Sequence, residues 1–340
     1  MSVCGFSDPV GPKAWPVIHG RADIKTCNQD FVVDEFLDFE PSGTGEHLYL
    51  RVQKDGENTA FVSRALADVY GVSHGAVSYA GMKDRHALTS QWFSIHLPQP
   101  ESPLPAELES LESLENVTVL ACTRHLKKLR RGQIKKNQFV VVLRGVSGEH
   151  RMLEQRLKHI TQDGFPNYFG EQRFGSENLP LALQWMDVRR TRKIPGFKKA
   201  LYISVLRSFL FNRVLSARIQ QKNWNRVIPG EHVLDMFPTG PLWGRGSCLS
   251  DLNAKDIEQA AIAPYPKIMD ALEHVGLTKE QRNLVAVPSD MEWVFSNDTL
   301  CLRFSLAKGE YATSMLREIA DIRDANPYAT RNTIPEIEKV

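Results

Sequence analysis

The 340-residue sequence is poor in the patterns that mark several large classes of protein. Its five cysteines, Cys4, Cys27, Cys122, Cys248 and Cys301, are scattered, odd in number and without a C-x-x-C pair. Reduced thiols are therefore expected, and neither a disulfide framework nor a zinc site. The ten histidines form no H-E-x-x-H or comparable ligand spacing, so no metal is implied. No apolar run approaches the roughly 18 residues of a membrane helix, and the N-terminal MSVCGFSDPVGPKAW has neither the basic start nor the apolar stretch of a secretion signal. A cytoplasmic protein with no membrane attachment is expected. A dinucleotide fingerprint and a Walker motif are both missing. PSGTGEH has two glycines but precedes a strand pattern, and Gly244 and Gly246 flank Arg245 without a following G-K-[ST]. No nucleotide cofactor is implied, and no repeat or low-complexity tract is present.

What is there is ordinary globular material, 42% hydrophobic and 24% charged, long enough for one large domain or two of usual size. Two are expected. A net charge of +2 carries no message about nucleic acid, but its distribution does. Between Arg124 and Lys136 stand Arg124, Lys127, Lys128, Arg130, Arg131, Lys135 and Lys136, with no acid among them. A second window, RRTRKIPGFKK, opens on Arg189 and Arg190 and is equally free of acids. Such strips suit the tracking of phosphates; the plainer reading is a solvated, lysine-rich loop. The first strip runs into Asn137-Gln138-Phe139, which places an aromatic beside cations, the combination an unstacked base requires. By itself, Phe139 reads as core.

The stretch SYAGMKDRHALTSQWFSIHL, from Ser78 to Leu97, sets one carboxylate, Asp84, between Lys83 and Arg85 just past Ala80-Gly81. Gly81 tolerates backbone angles closed to other residues, and alternation through Trp92, Phe93 and Ile95 predicts a strand after it. Asp84 then sits in a loop at the edge of a rigid element, a usual place for chemistry. The competing reading is a turn cap or a pair with Arg85. A carboxylate kept ionised away from water needs a cation close by. Lys83 is adjacent, but neighbours in an extended backbone point to opposite faces, so a cation from elsewhere in the chain is expected.

Elsewhere, DFVVDEFLDFE reads as extended after an aperiodic, extended lead-in over residues 1 to 24. Leu48 to Val52 reads as a strand, and Asn58 as the cap of a helix bearing Phe61, Val62, Leu66, Val69 and Tyr70. Val117 to Ala121 predicts a strand, Arg151 to Asp163 a helix closed by Gly164, Leu201 to Ile219 a helix, and Ala254 the approximate start of another. Strands are predicted again from Met291, with a turn at Asn297-Asp298, and then a helix from about Tyr311. The Pro- and Glu-rich PQPESPLPAELESLESLE reads as spacer. The acidic group Asp34, Glu35, Asp38 and Glu40 reads as an exposed face, and Glu46 and His47 as loop residues.

The run Gly81 to Ala87, with Thr89 and Gln91, resembles the G-x-K-D-[KR]-x-A-x-T-x-Q signature of the TruD family of tRNA pseudouridine synthases. Lys25 ahead of the FxVxE of Phe31, Val33 and Glu35, the G-E-H at Gly45 to His47, the N-x-F at Asn137 and Phe139, PNYFGEQRFG and FSLAKGEYATSMLRE are similar to further family elements. The resemblance implies Asp84 as catalytic nucleophile, supports Lys25 as its preferred cationic partner, and implies Lys83 as further active-site support, with Asn137 and Phe139 bordering the target uracil. It implies tRNA as partner, with uridine 13 of the D arm isomerised to pseudouridine without cofactor or metal by a monomer. Arg85, the first basic strip, Arg173, Arg189 and Arg190 are the expected RNA contacts. The implied fold is α+β: a catalytic domain over residues 1–163 and 291–340, with a mixed, mainly antiparallel sheet flanked by helices, and a mostly helical insertion domain over 164–290, hinged at Gly164 and near Asp290. The last 40 or so residues are expected to complete the catalytic sheet, with a loose tail after Asp324. A non-catalytic RNA-binding protein would share the basic windows without needing Asp84, and a metal-dependent nuclease would need clustered carboxylates.

Overall fold

Period-two alternation builds the principal sheet. The computed structural model describes residues 8–16, 18, 20–98, 116–175, 177–188 and 194–326. Its first half comprises β1 (Arg21–Ile24), β2 (Phe31–Leu37), β3 (His47–Asp55), α1 (Thr59–Val69), β4 (Val77–Tyr79), β5 (Leu88–His96), β6 (Val117–His125) and β7 (Ile134–Leu143). There follow α2 (His150–Asp163), β8 (Phe165–Pro166), α3 (Glu171–Phe174), α4 (Asn178–Val188), α5 (Gly196–Gln220), β9 (Val233–Leu234) and β10 (Phe237–Leu242). The remainder is α6 (Leu252–Ile262), α7 (Pro266–Glu273), β11 (Glu280–Asn283), β12 (Val285–Ala286), β13 (Ser289–Ser296), β14 (Thr299–Ala307), α8 (Ala312–Ile319) and β15 (Asp321–Asp324).

These elements form two compact units. One, made of His19–Glu149, Pro288–Gly309 and Asp321–Val340, holds an eight-stranded sheet of order β13-β14-β7-β2-β5-β3-β6, with β4 also on β5. Only the β2–β5 pairing is parallel, so the sheet is mixed and mainly antiparallel, as expected for the α+β class. Leu48, Leu50 and Val52 of β3 and Phe93 and Ile95 of β5 pack with Val62, Leu66 and Ala67 of α1. Each such side chain contributes about 1.5–3 kcal/mol when fully buried. The Asn58 side chain accepts the Ala60 amide hydrogen at 2.7 Å, which fixes the start of α1.

The other unit comprises Met1–Ile18, His150–Val287 and Glu310–Ala320. Val205, Leu206, Phe209, Leu210, Phe211 and Val214 of α5 lie at its core, with Leu179 and Ala182 of α4. It is not purely helical: β11-β10-β9 form an antiparallel sheet and β8 pairs with β12. Its boundaries also depart from 164–290. Helices α2 and α8 pack on each other within this unit. The buried Arg156 guanidinium of α2 donates to the carbonyls of Pro16 and Glu318, which ties both ends of the chain segment to it. The chain therefore changes unit near residues 149 and 287, ahead of Gly164 and Asp290. Gly164 instead has a structural task, with φ +77° and a hypothetical Cβ only 2.5 Å from Val285 and 2.6 Å from the Ala286 carbonyl.

Two further differences concern the ends. Residues 21–24, read as part of an aperiodic lead-in, form β1 and pair in parallel with β15 in a separate two-stranded sheet. Of the closing segment, β13 and β14 complete the large sheet as expected, whereas α8 belongs to the other unit. Most of the Pro- and Glu-rich spacer, residues 99–115, and the tail from 327 lie outside the described residues.

Candidate active site

The loop between β4 and β5 carries Asp84, and neighbouring strands pin it from below. The Gln91 amide of β5 donates to the Gly81 carbonyl at 3.1 Å. Thr59, at the start of α1, accepts the Lys83 amide hydrogen at 3.1 Å and in turn donates to Gln91 Oε1 at 2.8 Å. Lys54 of β3 donates from Nζ to the Asp84 carbonyl at 2.7 Å. Gly81 does not have the positive φ its sequence context suggests; a Cβ there would lie 3.1 Å from Ile134 Cδ1, the movable end of a side chain. The positive φ in this neighbourhood, +60°, belongs to Lys25.

Two ion pairs organise the charges. Lys25 Nζ stands 3.1 Å from Asp84 Oδ2, with the lysine side chain 7% and the aspartate 35% exposed. The expected pairing is thus present, and Asp84 keeps an open side for a ligand. Lys83 is engaged by other partners. Its Nζ lies 2.6 Å from Glu35 Oε2 and donates to Asn137 Oδ1 at 2.7 Å. Glu35, read above as part of an exposed acidic face, is buried; its other oxygen accepts the Trp92 amide hydrogen at 3.1 Å. The reason is strand parity, since Phe31, Val33 and Glu35 share the inward face of β2.

Asn137 and Phe139 are brought to this place by the pairing of β7 with β2 and β14, where Asn137 opposes Glu35 and Phe139 opposes Val33 and Phe304. Phe139 is largely buried, stacked on Phe304 with centroids 5.2 Å apart and edge-on to Phe31 at 6.0 Å. Phe31 also lies under the Lys25 ammonium, 4.6 Å from its ring centroid. A carboxylate, cations and an aromatic cluster thus converge beside the central strands β7, β2 and β5. That set can hold a charged acid against a flat ring.

The family model described as tRNA pseudouridine synthase D (TruD) matches residues 17–180. A tRNA pseudouridine synthase D of Aeromonas hydrophila is 40% identical over 91% of this chain and 94% of its own, and one of Methylococcus capsulatus is 40% identical over 93% and 95%. The chain belongs to the TruD family. A crystal structure of a candidate TruD from Methanosarcina mazei, 19% identical, matches 92% of this chain and 96% of its own with a TM-score of 0.68, a likeness of fold.

Within this TruD-family chain the basic residues divide. Lys127, Lys128, Arg130 and Arg131 in the turn between β6 and β7, and Lys135 just beyond it, are exposed. Lys128 donates to the Gly75 carbonyl, and Arg131 lies over the Tyr79 ring at 4.4 Å. Arg85 is exposed near the Gly56 carbonyl. Other expected RNA contacts have internal partners. Arg124 donates to the carbonyls of Gly45 and Leu97, and Lys136 pairs with Asp290 at 3.1 Å. Arg173 donates to Ser204 and, at 2.6 Å, to Tyr311 within its own unit. Arg189 and Arg190 lie outside the described residues.

Three residues of the site escaped sequence reasoning. Glu35 and Phe31 were legible in the alternation of β2. Lys54 was not, because nothing in LRVQKDGEN distinguishes a lysine that will be wholly buried. Four described cysteines are free thiols. Among the described residues no His, Cys, Asp or Glu group suits a metal, and no helix is long and apolar enough to cross a membrane.

Proposed function

We propose that this protein isomerises uridine to pseudouridine in tRNA, at position 13 of the D arm, with Asp84 as the reacting carboxylate. The observation that carries the reading is the Lys25–Asp84 pair, a part-exposed carboxylate held 3.1 Å from a buried ammonium in a chain of the TruD family. The reaction breaks the bond from C1′ to N1, turns the uracil in place and joins C1′ to C5. The C5 proton leaves to solvent and N1 gains one, so the net change is an isomerisation. An ionised carboxylate acts on C1′ of the sugar or on C6 of the ring, and both routes need the cation that Lys25 supplies. Unstacking the uridine costs a few kcal/mol, which the exposed lysines and arginines of the β6–β7 turn offset through phosphate contacts.

The test is tritium release from [5-³H]uridine-labelled tRNA, comparing the intact protein with Asp84→Asn and adding neither metal nor nucleotide. Release that vanishes in the variant while tRNA stays bound is expected. Bound, folded tRNA that yields no tritium with the intact protein would reject the reading. A tRNA in which uridine 13 is replaced by cytidine should release none from that position.

A further inference from the structure

Of the hydrogen bonds that pin the Asp84 loop, the one donated by Gln91 and the one accepted by Thr59 are neutral, and the one from Lys54 comes from a charged group with no solvent exposure. Burying an ammonium is costly unless its surroundings repay it. Among the described residues the acceptor within reach of Lys54 Nζ is the Asp84 carbonyl, 2.7 Å away. We propose that Lys54 is a positioning residue for the reaction, holding the Asp84 backbone and through it the carboxylate, at a cost to the stability of the fold. This rests on the pseudouridine synthase reading above.

The charges that face Lys54 are mixed. Asp84, Glu57 and Asp55 favour its ammonium and Lys83 opposes it, but burial outweighs them all and pushes the lysine down from 10.5 to about 8. The folded state then binds fewer protons than the unfolded chain between those values. The stability penalty is therefore complete below pH 8 and lifts as pH rises toward 10.5. A wholly buried Nζ does not reach a bound nucleotide, which rules Lys54 out as the base at C5 and leaves it to act through Asp84. Its bond to the carbonyl is charge-assisted below pH 8 and weaker above, so the loop is held most firmly on the acid side.

Lys54→Met and Lys54→Gln in the full chain test this, through thermal unfolding and tritium release from labelled tRNA on both sides of pH 8. The Met variant should unfold below pH 8 at the same temperature as the parent or higher. Its kcat should fall about tenfold, with KM unchanged. The parent's kcat should decline above pH 8, and the Met variant should lose that decline. The Gln variant, which keeps a donor without the charge, should recover part of kcat and none of the pH limb. A Met or Gln variant that melts earlier yet keeps full kcat per folded molecule would make Lys54 merely structural and overturn the proposal. A parent protein that releases no tritium would sink the synthase reading itself, an outcome distinct from loss of the Lys54 role, in which the parent remains active.

Discussion

Cations crowd two regions of the large-sheet unit, and they behave differently in each. Around Asp84, the side chains of Lys25, Lys54 and Lys83 are all buried, each within 2.6–3.1 Å of a particular oxygen. In the turn from Leu126 to Lys135 the lysines and arginines stand in solvent, with scattered contacts to a carbonyl or a phenol. A buried charge without its partner costs several kcal/mol, whereas an exposed pair contributes about 0–1 kcal/mol and is screened over roughly 8 Å in physiological salt. Buried cations fix the geometry around one acid. Exposed ones present a field to any polyanion that approaches.

Substitution at the buried region should have the larger effects. Asp84→Asn should lower tritium release at least about a thousandfold, with tRNA binding by filter retention and thermal stability close to the parent. Lys83→Met comes next, because it strands Glu35 as an unpaired carboxylate inside the sheet. A loss of about 3–5 kcal/mol in denaturant unfolding is expected. Replacing both partners, Lys83→Met with Glu35→Leu, should return much of that stability but not activity, since Asn137 then loses the ammonium it accepts from. Recovery of activity in the double variant would place the Lys83–Glu35 pair outside the chemistry. Lys25→Met should affect rate more than fold, because Asp84 is part-exposed and water takes over part of the solvation. A kcat about ten- to a hundredfold lower, with a stability change near 1 kcal/mol, is the expected split.

The same contrast explains what could be read in the sequence. Alternation in DFVVDEF, HLYLRV and LRFSLA placed strands of the large sheet correctly, because one side of each had to be apolar. The Lys25–Asp84 proximity was also legible, from the need of an ionised acid for a cation, the unsuitability of its neighbour and the family lysine ahead of the FxVxE element. Burial of charge was not. Glu35 looked like one of four exposed acids although the alternation of β2 carried the signal, and Lys54 looked like a surface lysine, since nothing local records that its strand β3 lies between β5 and β6. The unit boundary was missed for a related reason. Arg156 binds carbonyls of Pro16 and Glu318, residues separated from it by more than a hundred positions, and sequence composition carries no trace of such a tie.

The smallest effects should come from the exposed turn, and they sharpen the comparison through their salt dependence. Lys127→Ala with Lys135→Ala removes two solvated charges and no described side-chain hydrogen bond. Unfolding free energy should move by no more than about 0.5 kcal/mol. If both lysines meet phosphates, the slope of log affinity for tRNA against log salt should flatten by about 0.7–0.9 for each. Arg124→Ala provides the control, since the two substitutions look equivalent in sequence. Its guanidinium is spent on the carbonyls of Gly45 and Leu97, so its loss should lower the melting temperature and leave the salt slope nearly as it was. A flattened slope with unchanged melting in the Arg124 variant would mean that this arginine faces RNA, and the division between buried and exposed cations would then have to be redrawn.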